Sequence, residues 1–228
     1  MNIFSKFKNK HQGKTCFVIG TGPSFNKFDQ SKVLKENNFF IGVNEVPVSG
    51  ISLDYWFMQD PAKEYNGDSS KKGFYAHENF LTEYKPRLAK FIGRLYQREE
   101  FYRMPENVKY AEYYDLAPHS EEIPFEMNLN EGNIKTGASV TFSVLQFVLF
   151  SGFSRIILVG QDCDYSNGIF VSSKATTQFQ INNVQPSLFN YWNHFLKISK
   201  ELGLEVYSLN PIGLSPDNYF KEIEISDL

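Results

Sequence analysis

Short apolar runs bounded by polar or glycine-containing groups recur along the chain, separated by longer segments with helical spacing of their apolar residues. Thr15 to Ile19, Phe39 to Val43, Asp54 to Met58, Arg155 to Val159 and Leu204 to Leu209 read as strands, with weaker candidates at Leu88 to Ile92 and Val108 to Tyr113. The clearest helical segments are Pro23 to Lys35, Ala138 to Phe150 and Ser187 to Leu202. Gly152 and Gly203 stand just past the last two, where a C-terminal cap calls for glycine. Alternating strands and helices predict an α/β, Rossmann-like fold, a mostly parallel sheet with helices on both faces.

Each strong strand runs into a polar group: Gly20-Thr21-Gly22, Asn44, Gln59-Asp60, Gly160-Gln161-Asp162 and Asn210-Pro211. In an open parallel sheet such ends line a common crevice where ligands bind. The first is the most informative. Lys14 to Ser24 reads as strand, glycine turn and proline-started helix, so that bare backbone and the first orphan N–H groups of a helix would form an anion cradle. No lysine of a Walker loop is present, and Phe25 stands where a dinucleotide motif has its third glycine, which argues against a P-loop ATP site or NAD.

The 228 residues suit one principal domain spanning 1–228. Within it, 64–133 is rich in Tyr, Glu, Lys and Arg and without clean period, and is expected to form a lid or subdomain over the crevice, or helices on the outer face. A net charge of −3 with scattered Lys and Arg argues against nucleic acid as a partner. Cys16 and Cys163 fall in or beside strands, as buried or site-lining thiols rather than a disulfide framework, which suits a reducing cytoplasm. Residues 1–14 read as a short basic, solvated tail without signal-peptide character. Lys6, Lys8 and Lys10 offer a lesser alternative, peripheral attachment to the anionic lipid of an inner membrane. No run approaches the roughly 18 apolar residues of a membrane span. With 22 Phe and 13 Tyr, aromatics dominate the expected core; Phe74-Tyr75 and Tyr110 to Tyr114 suit sugar stacking, core packing or a homo-oligomer interface equally.

Three separated segments, Val18 to Ser24 with Gly42-Val43-Asn44, then Ile134 to Gly137 leading into a helix, then Gly152 to Asp162 followed by Tyr165, Asn167 and Gly168, share an order and spacing. In that order the chain resembles the bacterial sialyltransferases of glycosyltransferase family 42, and the related flagellin-glycosylation and 6-hydroxymethylpterin diphosphokinase-like proteins. The resemblance covers about three-quarters of the chain and implies a variant Rossmann transferase that passes a CMP-activated sialic-acid-like or Kdo-like sugar to a bacterial surface glycan or glycolipid, as in lipopolysaccharide or capsule assembly. It nominates Gly20, Thr21, Gly22, Pro23, Ser24, Asn44, Gln59, Thr136 and Gly137 for the donor, and the strand-end groups add Asp60 and Gln161 as substrate-binding candidates. Backbone amides and a Thr hydroxyl at a helix start suit a phosphate or carboxylate.

The catalytic set transfers less completely. The family's histidine base would fall at Gln185 or Pro186. His194, about two turns further along, is a candidate base or a packed core histidine, and Tyr165 matches a phosphate-directed tyrosine with a one-residue shift. Asp162 is the candidate carboxylate, either a nucleophile in a retaining transfer or a turn cap. Asp162-Cys163-Asp164 also has the Asp-x-Asp form used to hold Mg²⁺ or Mn²⁺, but extended backbone would point the two carboxylates apart and the resemblance implies metal independence; no cofactor is expected. His11, His77 and His119 lack partners at zinc-ligand spacing, and no Gly-x-Ser-x-Gly elbow is present. The alternatives are a Mg²⁺-dependent pyrophosphate transfer to a pterin alcohol and a non-catalytic nucleotide-sugar-binding protein.

Overall fold

The computed structural model describes residues 2–59, 83–94, 108–117, 125–135, 137, 139–163, 185–209 and 220–228. Nine parallel strands form one sheet among them: β1 (Thr15–Ile19), β2 (Asn38–Val43), β3 (Tyr55–Met58), β4 (Ala89–Arg94), β5 (Ala111–Ala117), β6 (Ile134–Lys135), β7 (Arg155–Val159), β8 (Glu205–Ser208) and β9 (Lys221–Glu222). Their order is β6-β5-β4-β3-β2-β1-β7-β8-β9. The chain builds outward from β1 to one edge, then returns to β1's other side. This Rossmann-like layout is the expected one. The two edge strands β6 and β9 were not foreseen, being two residues long, one read as a helix lead-in and the other charged.

Neighbouring residues of β1 bury into opposite faces. Cys16 and Val18 join one apolar cluster, Phe17 and Ile19 the other, and β7 divides in the same way between Ile156 with Leu158 and Ile157 with Val159. Such continuous apolar strands need cover on both faces. On the first face lies α1 (Val140–Ser151), apolar around nearly its whole circumference, packed over β1, β2 and β3 and capped by the Ser139 side chain and by Gly152 at φ 80°. Beside it runs α2 (Gln185–Glu201). The buried Gln146 amide of α1 accepts from the Glu126 and Lys135 N–H groups and donates to the Lys135 and Phe142 carbonyls, pinning β6 to the helix.

Two expectations are corrected. Residues 23–35 form no α-helix but two 3-10 turns, Pro23–Lys27 and Gln30–Val33, because Phe25, Phe28 and Val33 reach the second apolar cluster from irregular backbone. The amino-terminal segment is not a solvated tail. Phe4 and Phe7 are buried against Phe91 and Phe147, and Lys6 pairs with Glu112 at 2.8 Å. Asn9 and His11 donate their backbone N–H groups to the Phe150 and Ser151 carbonyls, closing the end of α1. Apolar side chains at positions 4 and 7 outweigh the lysines between them.

The expected lid at 64–133 falls largely outside the described residues; β4, β5 and 125–133 within that span belong to the sheet and its flank. Tyr114 is core, Tyr113 packs on the second cluster and Tyr110 is exposed, while Phe74 and Tyr75 lie outside the described residues. No helix among the described residues is long and apolar enough to cross a membrane.

Candidate active site

Strand order reverses between β1 and β7, and it is outside the carboxyl ends of the strands at such a point that doubly wound sheets bind ligands. Here the two strand ends meet backbone to backbone. Gly20 N donates to the Val159 carbonyl at 2.8 Å and Gly22 N to the Gly160 carbonyl at 2.9 Å. A Cβ on Gly20 would lie 2.6 Å from both Gln161 Nε2 and the Gly160 oxygen, and one on Gly22 would lie 2.0 Å from Asp162 Oδ2. The glycines therefore first serve the approach of the Gly160–Asp162 segment, itself turned by Gly160 at φ 62°.

Asp162 then fills the expected cradle. Its carboxylate accepts from Ser24 N at 3.1 and 3.2 Å and from Ser24 Oγ at 2.8 Å. A carboxylate so placed satisfies the leading N–H of a short turn as a cap does, although the turn it caps precedes it by 138 residues. Gln161, 9% exposed, accepts from Thr141 Oγ1 at 2.9 Å and so ties the strand end to the start of α1. Its Nε2 is buried with no partner among the described residues.

Asn44 stands at the end of β2 in the left-handed region, at φ 46°, with Oδ1 buried and without a partner among the described residues. Gln59, at the end of β3, directs its amide nitrogen to Tyr114 Oη at 3.1 Å and to Ser143 Oγ, so it is already engaged inside the protein. Gly137 approaches Phe142 and Tyr191, whose rings stack at 4.8 Å. Burial pushes the Tyr191 hydroxyl up to about 12, keeping it a neutral phenol. Tyr191 and Thr141 escaped the sequence reading, since each looked like an ordinary member of an apolar helix.

Cys163, at φ 54°, receives the Trp192 indole N–H at 3.1 Å and is pushed up to about 12, mainly by burial. It is a packed thiol rather than a nucleophile. Cys16 is likewise free and fully buried. The left-handed turn at Cys163 breaks the extended geometry assumed for Asp162-Cys163-Asp164, while Asp164, Asp60, Thr136 and Tyr165 lie outside the described residues. No group of three His, Cys, Asp or Glu among the described residues is arranged to hold a metal ion. His194 is half-buried on α2, at about 60° around the helix from Tyr191 and well away from the Trp192 face that meets Cys163. Thus Gly20, Gly22, Ser24, Gln161 and Asp162 come together in direct contact, with Pro23 opening the turn and Thr21 between the glycines, while Asn44 and Gln59 follow β2 and β3 and Gly137 precedes α1 with contacts of their own.

Residues 1–168 match the family model described as 6-hydroxymethylpterin diphosphokinase MptE-like. The chain belongs to this family. No curated protein matches the MptE-like chain in sequence. Among solved structures it is similar to the sialyltransferase CstII from Campylobacter jejuni in complex with the substrate analogue CMP-3FNeuAc, at 12% identity and TM-score 0.50, covering 92% of this chain and 86% of that one. A second similar structure, the sialyltransferase CST-II with a trisaccharide acceptor and CMP, gives 15% identity and TM-score 0.51 over 92% and 89% of the two chains. At these identities the likeness establishes the shared fold.

Proposed function

We propose that this MptE-like protein is a glycosyltransferase that takes a sialic-acid-like or Kdo-like sugar from a CMP-activated donor and passes it to a glycan or glycolipid acceptor. The observation that carries this reading is a pair of buried, unpartnered polar atoms, Asn44 Oδ1 and Gln161 Nε2, just past the carboxyl ends of the two strands that flank β1. A buried acceptor and a buried donor without partners are costly unless a ligand supplies the complements. A nucleotide monophosphate ester has both, hydroxyl or amine hydrogens at one end and anionic oxygens at the other. Support comes from sialyltransferase structures of the same fold whose bound ligands are CMP, a CMP-sugar analogue and an acceptor trisaccharide.

In this reading Asn44 accepts from the nucleoside and Gln161, held by Thr141, donates to an anionic oxygen of the donor, with Thr136 and Gly137 at the same helix start. Asp162 acts as a positioning residue. Its oxygens accept from Ser24 N and Oγ, which occupies the lone pairs a nucleophile would use and fixes the Gly20–Ser24 turn. Tyr165 is assigned to the leaving phosphate. His194 is the candidate base for the acceptor hydroxyl, reached from the Tyr191 side of α2.

The test is titration calorimetry with CMP, AMP and GMP, followed by hydrolysis and transfer assays with CMP-activated acidic sugars. Selective CMP binding together with sugar release or transfer is expected; absence of both at millimolar ligand overturns the reading. The family match favours a second reading, pyrophosphate transfer from ATP to a hydroxymethylpterin. That chemistry uses Mg²⁺ to bridge phosphates, so EDTA-sensitive, ATP-dependent activity would identify it.

A further inference from the structure

Asn44 sits in the left-handed region at φ 46°, which asparagine enters more readily than other non-glycine residues but does not hold without local hydrogen bonds. Two hydrogen bonds supply the constraint, and both come from β3. Asn44 N donates to the Phe57 carbonyl at 2.9 Å, and the Trp56 indole N–H donates to the Asn44 carbonyl at 2.7 Å. The first is the ordinary end of a strand ladder. The second is a side-chain clamp across two strands, and it fixes which way the residue turns after β2.

Trp56 is itself immobilised. It is 1% exposed, with Tyr84 packed against it edge-on at 5.5 Å and 88° and the Lys90 ammonium 5.3 Å from its ring. An indole wedged this firmly delivers its N–H to one place. Any residue between tryptophan and the crevice would inherit that precision, and Asn44, with an unpartnered buried Oδ1, is the one in contact.

We propose that Trp56 is a positioning residue for the nucleotide site, setting the Asn44 backbone through its indole N–H so that Asn44 Oδ1 is presented to the nucleoside. The inference rests on the CMP reading above. Trp56 touches no ligand; it acts by removing from Asn44 the extended conformation that would swing the amide out of register with Gly20–Ser24.

The experiment is CMP titration of the full chain in four forms: wild type, Trp56→Phe, Asn44→Ala and the double variant. Phenylalanine keeps the buried ring and deletes the N–H, so Trp56→Phe should weaken CMP about 5- to 10-fold, roughly the effect of one lost hydrogen bond. In the Asn44→Ala background the same change should alter affinity less than about 2-fold, because the residue it positions is gone. Unchanged affinity in Trp56→Phe, or an equal loss in both backgrounds, overturns the proposal. If wild type itself fails to bind CMP, the CMP reading falls, and a crystal structure of Trp56→Phe then decides the positioning claim alone: Asn44 released to negative φ supports it, Asn44 unmoved refutes it. Should Trp56→Phe not fold, the indole N–H resonance of wild type is followed instead. CMP should shift it in wild type and leave it in place in Asn44→Ala; a resonance unmoved in wild type refutes the clamp.

Discussion

Asp162 and Gly22 are two halves of one contact, and their variants should reveal it. Removing the carboxylate in Asp162→Ala leaves the Ser24 N–H without its partner in a part-buried setting, a loss of about 1–3 kcal/mol in urea unfolding. Gly22→Ala places a methyl 2.0 Å from Asp162 Oδ2 and must expel that carboxylate, so a loss of similar size is expected. The methyl also lies 2.7 Å from the Gly160 carbonyl oxygen, a clash that remains without Asp162, so the double variant should fall short of the sum by the carboxylate's share alone; full additivity would show that the residues act independently. This contact also marks what was legible at residue level. The placement of Gly20, Gly22 and Asp162 at strand ends was readable, but not that the glycines admit Asp162 itself, since a bond across 138 residues leaves no trace in local spacing.

At the scale of elements, the amino-terminal segment is the clearest departure from expectation. His11 is buried, stacked 4.5 Å from Phe153, and its Nε2 lies 2.7 Å from Tyr55 Oη. Burial first, and then Lys10, drive its pKa down from 6.5 to about 4. The native state thus refuses a proton that the unfolded chain accepts. Stability from this source is complete above about pH 6.5 and is lost as pH falls toward 4, with no further loss below. Urea midpoints measured from pH 7.5 to 4 should fall across that window, and His11→Gln, which keeps a polar partner for Tyr55, should flatten the slope. A second element-level prediction concerns α1. Gln146→Leu strips the Glu126 and Lys135 N–H groups of their acceptor, costing about 2–4 kcal/mol, and hydrogen exchange should speed up at those two amides before the rest of the sheet. Strand and helix existence was readable because β1, β7, α1 and α2 carry strong apolar patterns. The 3-10 turns at 23–33 and the strands β6 and β9 were not, being short pieces whose backbone is set by what they pack against.

Across the whole molecule, the β1–β7 junction joins the two wings of the sheet, and the proposed CMP site at that junction would couple ligand to fold. A nucleotide bound there stabilises the native state by mass action. At a CMP concentration 100 times its dissociation constant the gain is about 2.7 kcal/mol, visible as a rise in melting temperature that AMP at equal concentration should not reproduce. An equal rise with both nucleotides would argue against cytidine selectivity.

The amino-acid sequence by itself determined the α/β class, the strands that build the centre of the sheet and the polar residues that end them, because continuous apolar runs and glycine caps act locally. Only the tertiary structure decided how those ends are used. It gave the cradle's Ser24 donors to Asp162, folded the basic amino terminus into the core, and set Asn44 under the Trp56 indole. Each of these outcomes is a contact between residues far apart or on separate strands, decided by burial and by hydrogen-bond partners that exist only once the sheet has assembled.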